Sequence, residues 1–444
     1  MNPNPDALFT ERELHRKSPS VGLVSFKDDS ITTKAGLTGA EHISALVERL
    51  PESHTPYTDK YFLRTREILE KDGLNPWVRA QIFIRKGPGE VFGVDEVLAI
   101  LRKYSDIKGL KGRIFAKDEG DKYEGKEPLM FIEAPVQEII ELETMILGVL
   151  SAQTSKYNDG ISQVNTNQVR ERMAEVVKAA EGRPVIYAGA RHWSFEQDAA
   201  IALAAHEGGA VAASTDVGAA TFGAQGVGTI PHALEVVYAW KYGKQNAVKE
   251  ATLAFDRHID DRIKRVALVD FNNREIDDAL ATVRGFKEVG STLYAVRVDT
   301  CGENVMQGGL TSLEGREAQA WRERGLPLPT AESADAKYWV GKGVTISGVI
   351  ALRRALDDAG FKDTKIILSS GFGKKAKVEA FVRAEKMLGR ELLDGGLLAG
   401  EVWDGGRIAT MDLVAVGEDR YSLEPLSKVG RPYRPNPSLK RVEL

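Results

Sequence analysis

From about residue 160 the chain alternates short apolar runs with stretches whose apolar positions recur at helical spacing. Val185–Ala188, Ala210–Ala213, 265–270 (RVALVD), 292–299 (TLYAVRVD), 365–369 (KIILS) and 408–416 read as strands. Residues 165–181, 195–206, 232–240, 275–289, 345–359 and 375–388 read as the helices between them. One strand–helix unit per roughly 30 residues predicts a parallel sheet. The runs are almost continuously apolar, as in strands covered on both faces. Polar residues close strand after strand instead of gathering at one switch point. The pattern therefore predicts an irregular TIM-like β/α barrel over 161–399. The chain has no G-x-G-x-x-G after a strand and no G-x-x-x-x-G-K-[ST].

The preceding texture differs. Residues 1–20 are polar and hold three prolines, a loose arm. Residues 21–56 form a short mixed extension in which Ala40–Leu50 is one helix, closed by Pro51. From 57 to 160, a helix starting near Asp59, a strand over Trp77–Arg85, a helix over Val94–Tyr104, strands at Arg113–Lys117 and Leu129–Ala134 and a helix over Gln137–Ser151 predict an α+β open sandwich. Residues 400–444 return to short strands and turns and are expected to join that unit. The basic, proline-rich KVGRPYRPNPSLKRVEL reads as a packed-down tail.

Composition narrows the function classes. With 444 residues, two or more domains are expected. A net charge of −4 argues against a nucleic-acid partner, so any basic site is local. A single cysteine, Cys301, excludes a disulfide framework or a multi-cysteine zinc site. No apolar stretch reaches the roughly 18 residues of a membrane span, and the first residues lack a signal-peptide core. A cytoplasmic protein is expected.

The candidate chemistry sits just after strands. Gly189-Ala190-Arg191-His192 offers cationic groups for a carboxylate or phosphate. Gly228-Thr229-Ile230-Pro231-His232 opens a helix with an imidazole suited to proton or phosphoryl transfer. Asp270 and Asp299 end two buried strands, and alternation puts Arg297 on the same side as Asp299. Ser369-Ser370-Gly371-Phe372-Gly373-Lys374-Lys375 joins a strand to a helix N-terminus, an anion-binding arrangement, and Asp394-Gly395-Gly396-Leu397 is a second one. Cys301 reads as an incidental small residue.

These motifs, in this order and spacing, resemble the nicotinate phosphoribosyltransferases. These are type II phosphoribosyltransferases, grouped with the nicotinamide enzymes and, more distantly, the quinolinate enzyme. The likeness runs from Thr58 to the C-terminus. It is carried by Thr58-Asp59-x-Tyr61, Gly189-Ala190-Arg191, Gly208-Gly209 with Ser214-Thr215-Asp216, Gly228-Thr229-x-x-His232 and Val296-Arg297-Val298-Asp299. The resemblance implies joining of nicotinate to phosphoribosyl pyrophosphate, as its magnesium complex, with ATP as co-substrate, in homodimers with shared sites. It implies that Tyr61 stacks on the pyridine ring in the neighbouring subunit's site, and that Arg191, His192, Thr215 and Asp216 serve the base. Arg297, with Asp299 and Asp270, would serve phosphoribosyl transfer. Ser370, Gly371, Gly395 and Gly396 would hold the 5′-phosphate, and His232 would accept a phosphoryl group from ATP. Alternatives are nicotinamide as the base, which Asp216 resembles, and a homologue that binds nucleotide without turnover. Ala188 stands where the family usually has an aromatic residue, and Arg191-His192 where nicotinate enzymes carry R-R.

Overall fold

A computed structural model describes residues 39–444; the arm expected over 1–20, and the extension up to residue 38, lie outside these residues. Helix Gly39–Arg49 matches the helix expected at Ala40–Leu50. The next unit contains strands β1 (Trp77–Ile84), β2 (Gly89–Glu90), β3 (Arg113–Ala116), β4 (Lys122–Tyr123) and β5 (Pro128–Pro135). All eight residues of β5 are buried. Helices Val94–Tyr104 and Glu143–Asp159 belong to the same unit. The expected helix over 137–151 begins late: two 3₁₀ turns after Pro135 occupy 136–142, and the α-helix runs Glu143–Asp159. That shift places Glu143 at its first turn.

The barrel strands are β6 (Val185–Tyr187), β7 (Ala212–Ala213), β8 (Val266–Leu268), β9 (Ala295–Val298), β10 (Lys365–Leu368) and β11 (Gly396–Ala399). They form one sheet in the order β7-β6-β11-β10-β9-β8, parallel throughout. The edge strands β7 and β8 do not pair with each other. Ala212 of β7 and Val266 of β8 nevertheless share one buried cluster with Ile186, Val227, Ala295 and Ile367. The sheet thus curls around an apolar interior, as the irregular barrel requires. The opposite faces, with Val296, Val298, Ile366 and Leu368, pack into the large core.

After β11 the chain crosses back. β12 (Ala409–Gly417) pairs antiparallel with β1, and β13 (Glu424–Pro425) extends from it. β14 (Lys440–Val442) pairs with β3, which completes the sheet β13-β12-β1-β5-β3-β14. The end of the chain is therefore stitched into the first unit, and the segment between β11 and β12 crosses the barrel mouth. Among the described residues, no helix is long and apolar enough to cross a membrane.

Candidate active site

A cavity of about 240 Å³ opens where the C-terminal ends of β6, β9, β10 and β11 face β12 and the tail. Alternation explains what enters it. Ala295 points into the barrel, so Arg297 and Asp299 follow on the same side and reach the mouth. Their side chains approach to 3.9 Å. Arg297 is buried, and its Nε has no hydrogen-bond partner.

One wall is Tyr61 with Arg191. The guanidinium donates to the Tyr61 hydroxyl, which donates in turn to Asp59 at 3.4 Å. Glu143 lies 3.8 Å from Arg191. Burial pushes Glu143 up to about 8, with Arg191 opposing. Burial likewise raises Tyr61 well above the ordinary phenol value, so the hydroxyl stays protonated. For Arg191 burial is outweighed by Tyr61 and Glu143, and the guanidinium stays charged. Gly228 makes this wall possible, since a Cβ there would lie 2.8 Å from the backbone nitrogen of Tyr61. His192 also lines the cavity. Burial, then Arg191 and Arg85, push it down to about 3, so it is an uncharged wall.

Behind the cavity, His232 Nε2 lies 3.0 Å from Asp270 Oδ1 at the start of helix His232–Tyr242. Lys428, from the tail, donates to the other oxygen of Asp270 and to the main-chain oxygen of Asp299 at 3.1 Å. Burial would raise Asp270, but Lys428 and His232 outweigh it and keep the carboxylate ionised. Burial and then Lys428 lower His232, against Asp270, so the imidazole is neutral. A carboxylate only accepts, so Nε2 carries the proton and Nδ1 the lone pair. The His232 side chain is 24% exposed, enough to be reached from the cavity, where it is part of the lining.

The loop after β10 also reaches the cavity. Ser370 (φ +69°) and Gly371 (φ +84°) are both left-handed and both line the cavity. Lys377 Nζ donates to the Ser370 carbonyl at 2.9 Å. Burial and the neighbouring Lys374 lower it to about 8.

Comparison with known proteins bears on the fold. The quinolinate phosphoribosyl transferase N-terminal domain family matches residues 59–154. A nicotinate phosphoribosyltransferase structure from Porphyromonas gingivalis is 14% identical, over 84% of this chain and 93% of its own, with a TM-score of 0.55. One from Vibrio cholerae is 13% identical, over 84% and 88%, with a TM-score of 0.52. No curated protein matches in sequence. The chain shares the fold of these nicotinate phosphoribosyltransferase structures.

Within that fold the structure brings together Tyr61, Arg191, His192, His232, Arg297, Asp299, Ser370 and Gly371 around the cavity, with Asp270 one bond behind. Tyr61 lines the cavity of its own chain. Four expected residues lie elsewhere. Thr215 is buried as the N-cap of helix Asp216–Ala220; it accepts from Gly218 at 3.1 Å and donates to Asp198. Asp216 is paired with Lys60 at 2.8 Å and accepts from Gly226. Both therefore stabilise the loop after β7 and leave the cavity to others. Gly395 and Gly396 stand at the start of β11, the barrel end away from the mouth. A Cβ on Gly395 would lie 2.7 Å from the Ile366 oxygen, so this glycine serves close strand packing. The mouth of β11 is Gly400-Glu401, which lines the cavity.

Other cavity residues carry little sequence signal. Glu143, Lys428, Arg431 and Arg85 come from the first unit and the tail. Arg85 closes the strand Trp77–Ile84, but Glu143, Lys428 and Arg431 follow no apolar strand run of the barrel. For β11 a signal existed: the apolar run Leu397-Leu398-Ala399 before Gly400. Cys301, read as incidental, lies in the lining, with its thiol raised by burial.

Proposed function

We propose that this protein transfers the phosphoribosyl group of phosphoribosyl pyrophosphate to nicotinate, giving nicotinate mononucleotide and pyrophosphate for pyridine nucleotide salvage. The observation that carries the reading is Arg191. It is a fixed guanidinium held on Tyr61 in the same cavity as Arg297, Asp299 and the Ser370–Gly371 loop. A pyridine carboxylate suits that guanidinium. Nicotinamide would want a carboxylate acceptor, and the candidate for it, Asp216, is engaged with Lys60 outside the cavity.

The base stacks against Tyr61 with its carboxylate on Arg191. The Ser370–Gly371 amides and Lys377 take the 5′-phosphate. The C1–O bond to pyrophosphate breaks as the pyridine nitrogen bonds to C1. Asp299 stabilises the cationic sugar, and Arg297 the departing charge. The protein's part is positioning and electrostatics. Magnesium belongs to the substrate, as counter-ion of its pyrophosphate. The neutral His232, with Nε2 on Asp270, presents Nδ1 for phosphorylation by ATP.

The test incubates purified protein with phosphoribosyl pyrophosphate, magnesium and nicotinate or nicotinamide, with and without ATP. Nicotinate mononucleotide as the main product is expected, and no mononucleotide from either base would sink the proposal. His232→Ala is expected to lose the ATP stimulation and keep a basal rate; an unchanged ATP response would remove the phosphohistidine step alone.

A further inference from the structure

The tail reaches the active site along a strap held from two sides. Leu426 N donates to the Val414 oxygen at 3.1 Å, and Val429 N to the Phe271 oxygen at 2.9 Å. Asn304 donates to the Val429 oxygen at 2.9 Å. Arg434 N donates to Gln81 Oε1 at 2.8 Å, on β1. The side chain so positioned is Lys428, 9% exposed, between Asp270 and the Asp299 carbonyl. A lysine ammonium has no business in such a place without a counter-charge, and Asp270 supplies it.

We infer that Lys428 is a positioning residue of this site: by taking one oxygen of Asp270 as its counter-charge, it leaves His232 to meet the other oxygen as an uncharged imidazole. This rests on the phosphoribosyl-transfer reading for its catalytic consequence, though not for its electrostatics. An aspartate facing only a histidine favours the imidazolium, whose Nδ1 is protonated and can accept neither a proton nor a phosphoryl group. With Lys428 in place, the carboxylate is already neutralised, and a second positive charge beside it is disfavoured. The other groups facing the triad come from every element around it. Glu235, one turn along the His232 helix, is fully buried with both oxygens unpartnered; burial raises it far above the ordinary value and keeps it uncharged. Asp278 is raised to about 6 by burial. Asp412 on β12 is raised by burial against Arg431 and Lys428. Arg297 and Asp299 flank at the end of β9, and Cys301 follows them. Lys428 is thus the group of opposite sign bonded to Asp270 that does not depend on the protonation of His232.

The test uses the full chain, without substrate, and follows the His232 ring protons by NMR against pH, assigned by their loss in His232→Gln. In Lys428→Met the His232 pKa is expected to rise by about one unit or more, roughly tenfold in proton affinity. In Lys428→Arg it is expected to titrate as in the wild type. In steady state, Lys428→Met is expected to lower kcat by more than about tenfold with the KM for the base within about threefold, and Lys428→Arg to recover most of kcat. A His232 titration unchanged in Lys428→Met overturns the inference. Should the Met variant not fold, Lys428→Gln carries the same two outcomes. A shifted titration in a protein that makes no mononucleotide upholds the electrostatic role and removes the proposed reaction; an unshifted one in an active protein does the reverse.

Discussion

The Arg191 guanidinium and the Tyr61 hydroxyl, 130 residues apart in sequence, are hydrogen-bonded on the cavity wall. The bond continues to Asp59, which also accepts from Thr144 at 3.2 Å. A cation anchored on such a chain, whose far end at Asp59 and Thr144 is buried, keeps one orientation, which is what recognition of a planar carboxylate needs. Arg191→Ala is expected to lower kcat/KM for nicotinate roughly 10- to 100-fold, equivalent to about 1.5–3 kcal/mol for hydrogen bonds to a charged group. Tyr61→Phe keeps the ring and loses only the anchor, so its loss should be smaller. Initial rates over a nicotinate series decide this, and equal losses for nicotinate and nicotinamide in Arg191→Ala would contradict the carboxylate role.

Arg297 and Asp299 test the transfer step. Arg297→Ala and Asp299→Ala are each expected to cost roughly 10²–10³-fold in kcat, the range for removing one preorganised charge-stabilising group. The fold should survive both. Arg297 Nε makes no hydrogen bond, and the Asp299 side chain is 24% exposed and keeps its hydration when unpaired. Thermal unfolding and circular dichroism run beside the rates separate lost chemistry from lost structure. A variant near wild-type speed would remove that residue from the mechanism.

The barrel was legible because its strands are nearly pure apolar runs that end in charge. VALVD and YAVRVD place Asp270 and Asp299 at strand ends, and period-two alternation puts Arg297 beside Asp299. What sequence reading lacked was everything the mouth receives from elsewhere. Lys428 arrives through pairings some 160 residues away in sequence, as in its bond to Asp270 (|i−j| of 158). Thr215 and Asp216 follow a strand and look like site residues, but a capping hydroxyl and a salt bridge to Lys60 use their polar atoms locally. Gly395-Gly396 looks like a phosphate turn because glycine pairs mark turns as often as strand contacts.

Glu143 sets a pH dependence. Its folded value of about 8, raised by burial, stands above the ordinary 4.5, so the folded protein keeps a proton that the unfolded chain gives up between these values. The associated stability is complete below pH 4.5 and is lost as pH rises through about 8. Glu143→Gln removes this dependence. The stability of wild type relative to Glu143→Gln is therefore expected to fall across pH 5–8.5, by at most about 1.4 kcal/mol per pH unit. Denaturant melts at several pH values measure it, and parallel curves would refute the assignment. Above pH 8 the ionised Glu143, 3.8 Å from Arg191, also competes for the guanidinium, so the KM for nicotinate should rise in the wild type and less in the variant.

Substitutions in the two glycine-bearing loops separate the proposed phosphate cradle from a packing contact. Gly371 follows the left-handed Ser370 with φ +84°, and alanine in that region costs roughly 1–2 kcal/mol. The loop must shift to relieve it. Since the loop lines the cavity, Gly371→Ala is expected to raise the KM for phosphoribosyl pyrophosphate several-fold with a small change in stability. Gly395→Ala meets the Ile366 oxygen and Ile367 Cγ1, both 2.7 Å from the new methyl. A rigid strand pair cannot yield, so a loss of about 1–3 kcal/mol in stability is expected. The KM of the molecules that remain folded should be unchanged. Isothermal titration with phosphoribosyl pyrophosphate, paired with denaturant melts, reads both variants. Binding weakened by Gly395→Ala at unchanged stability would return that loop to the phosphate site and take the role away from the start of β11 as a packing contact.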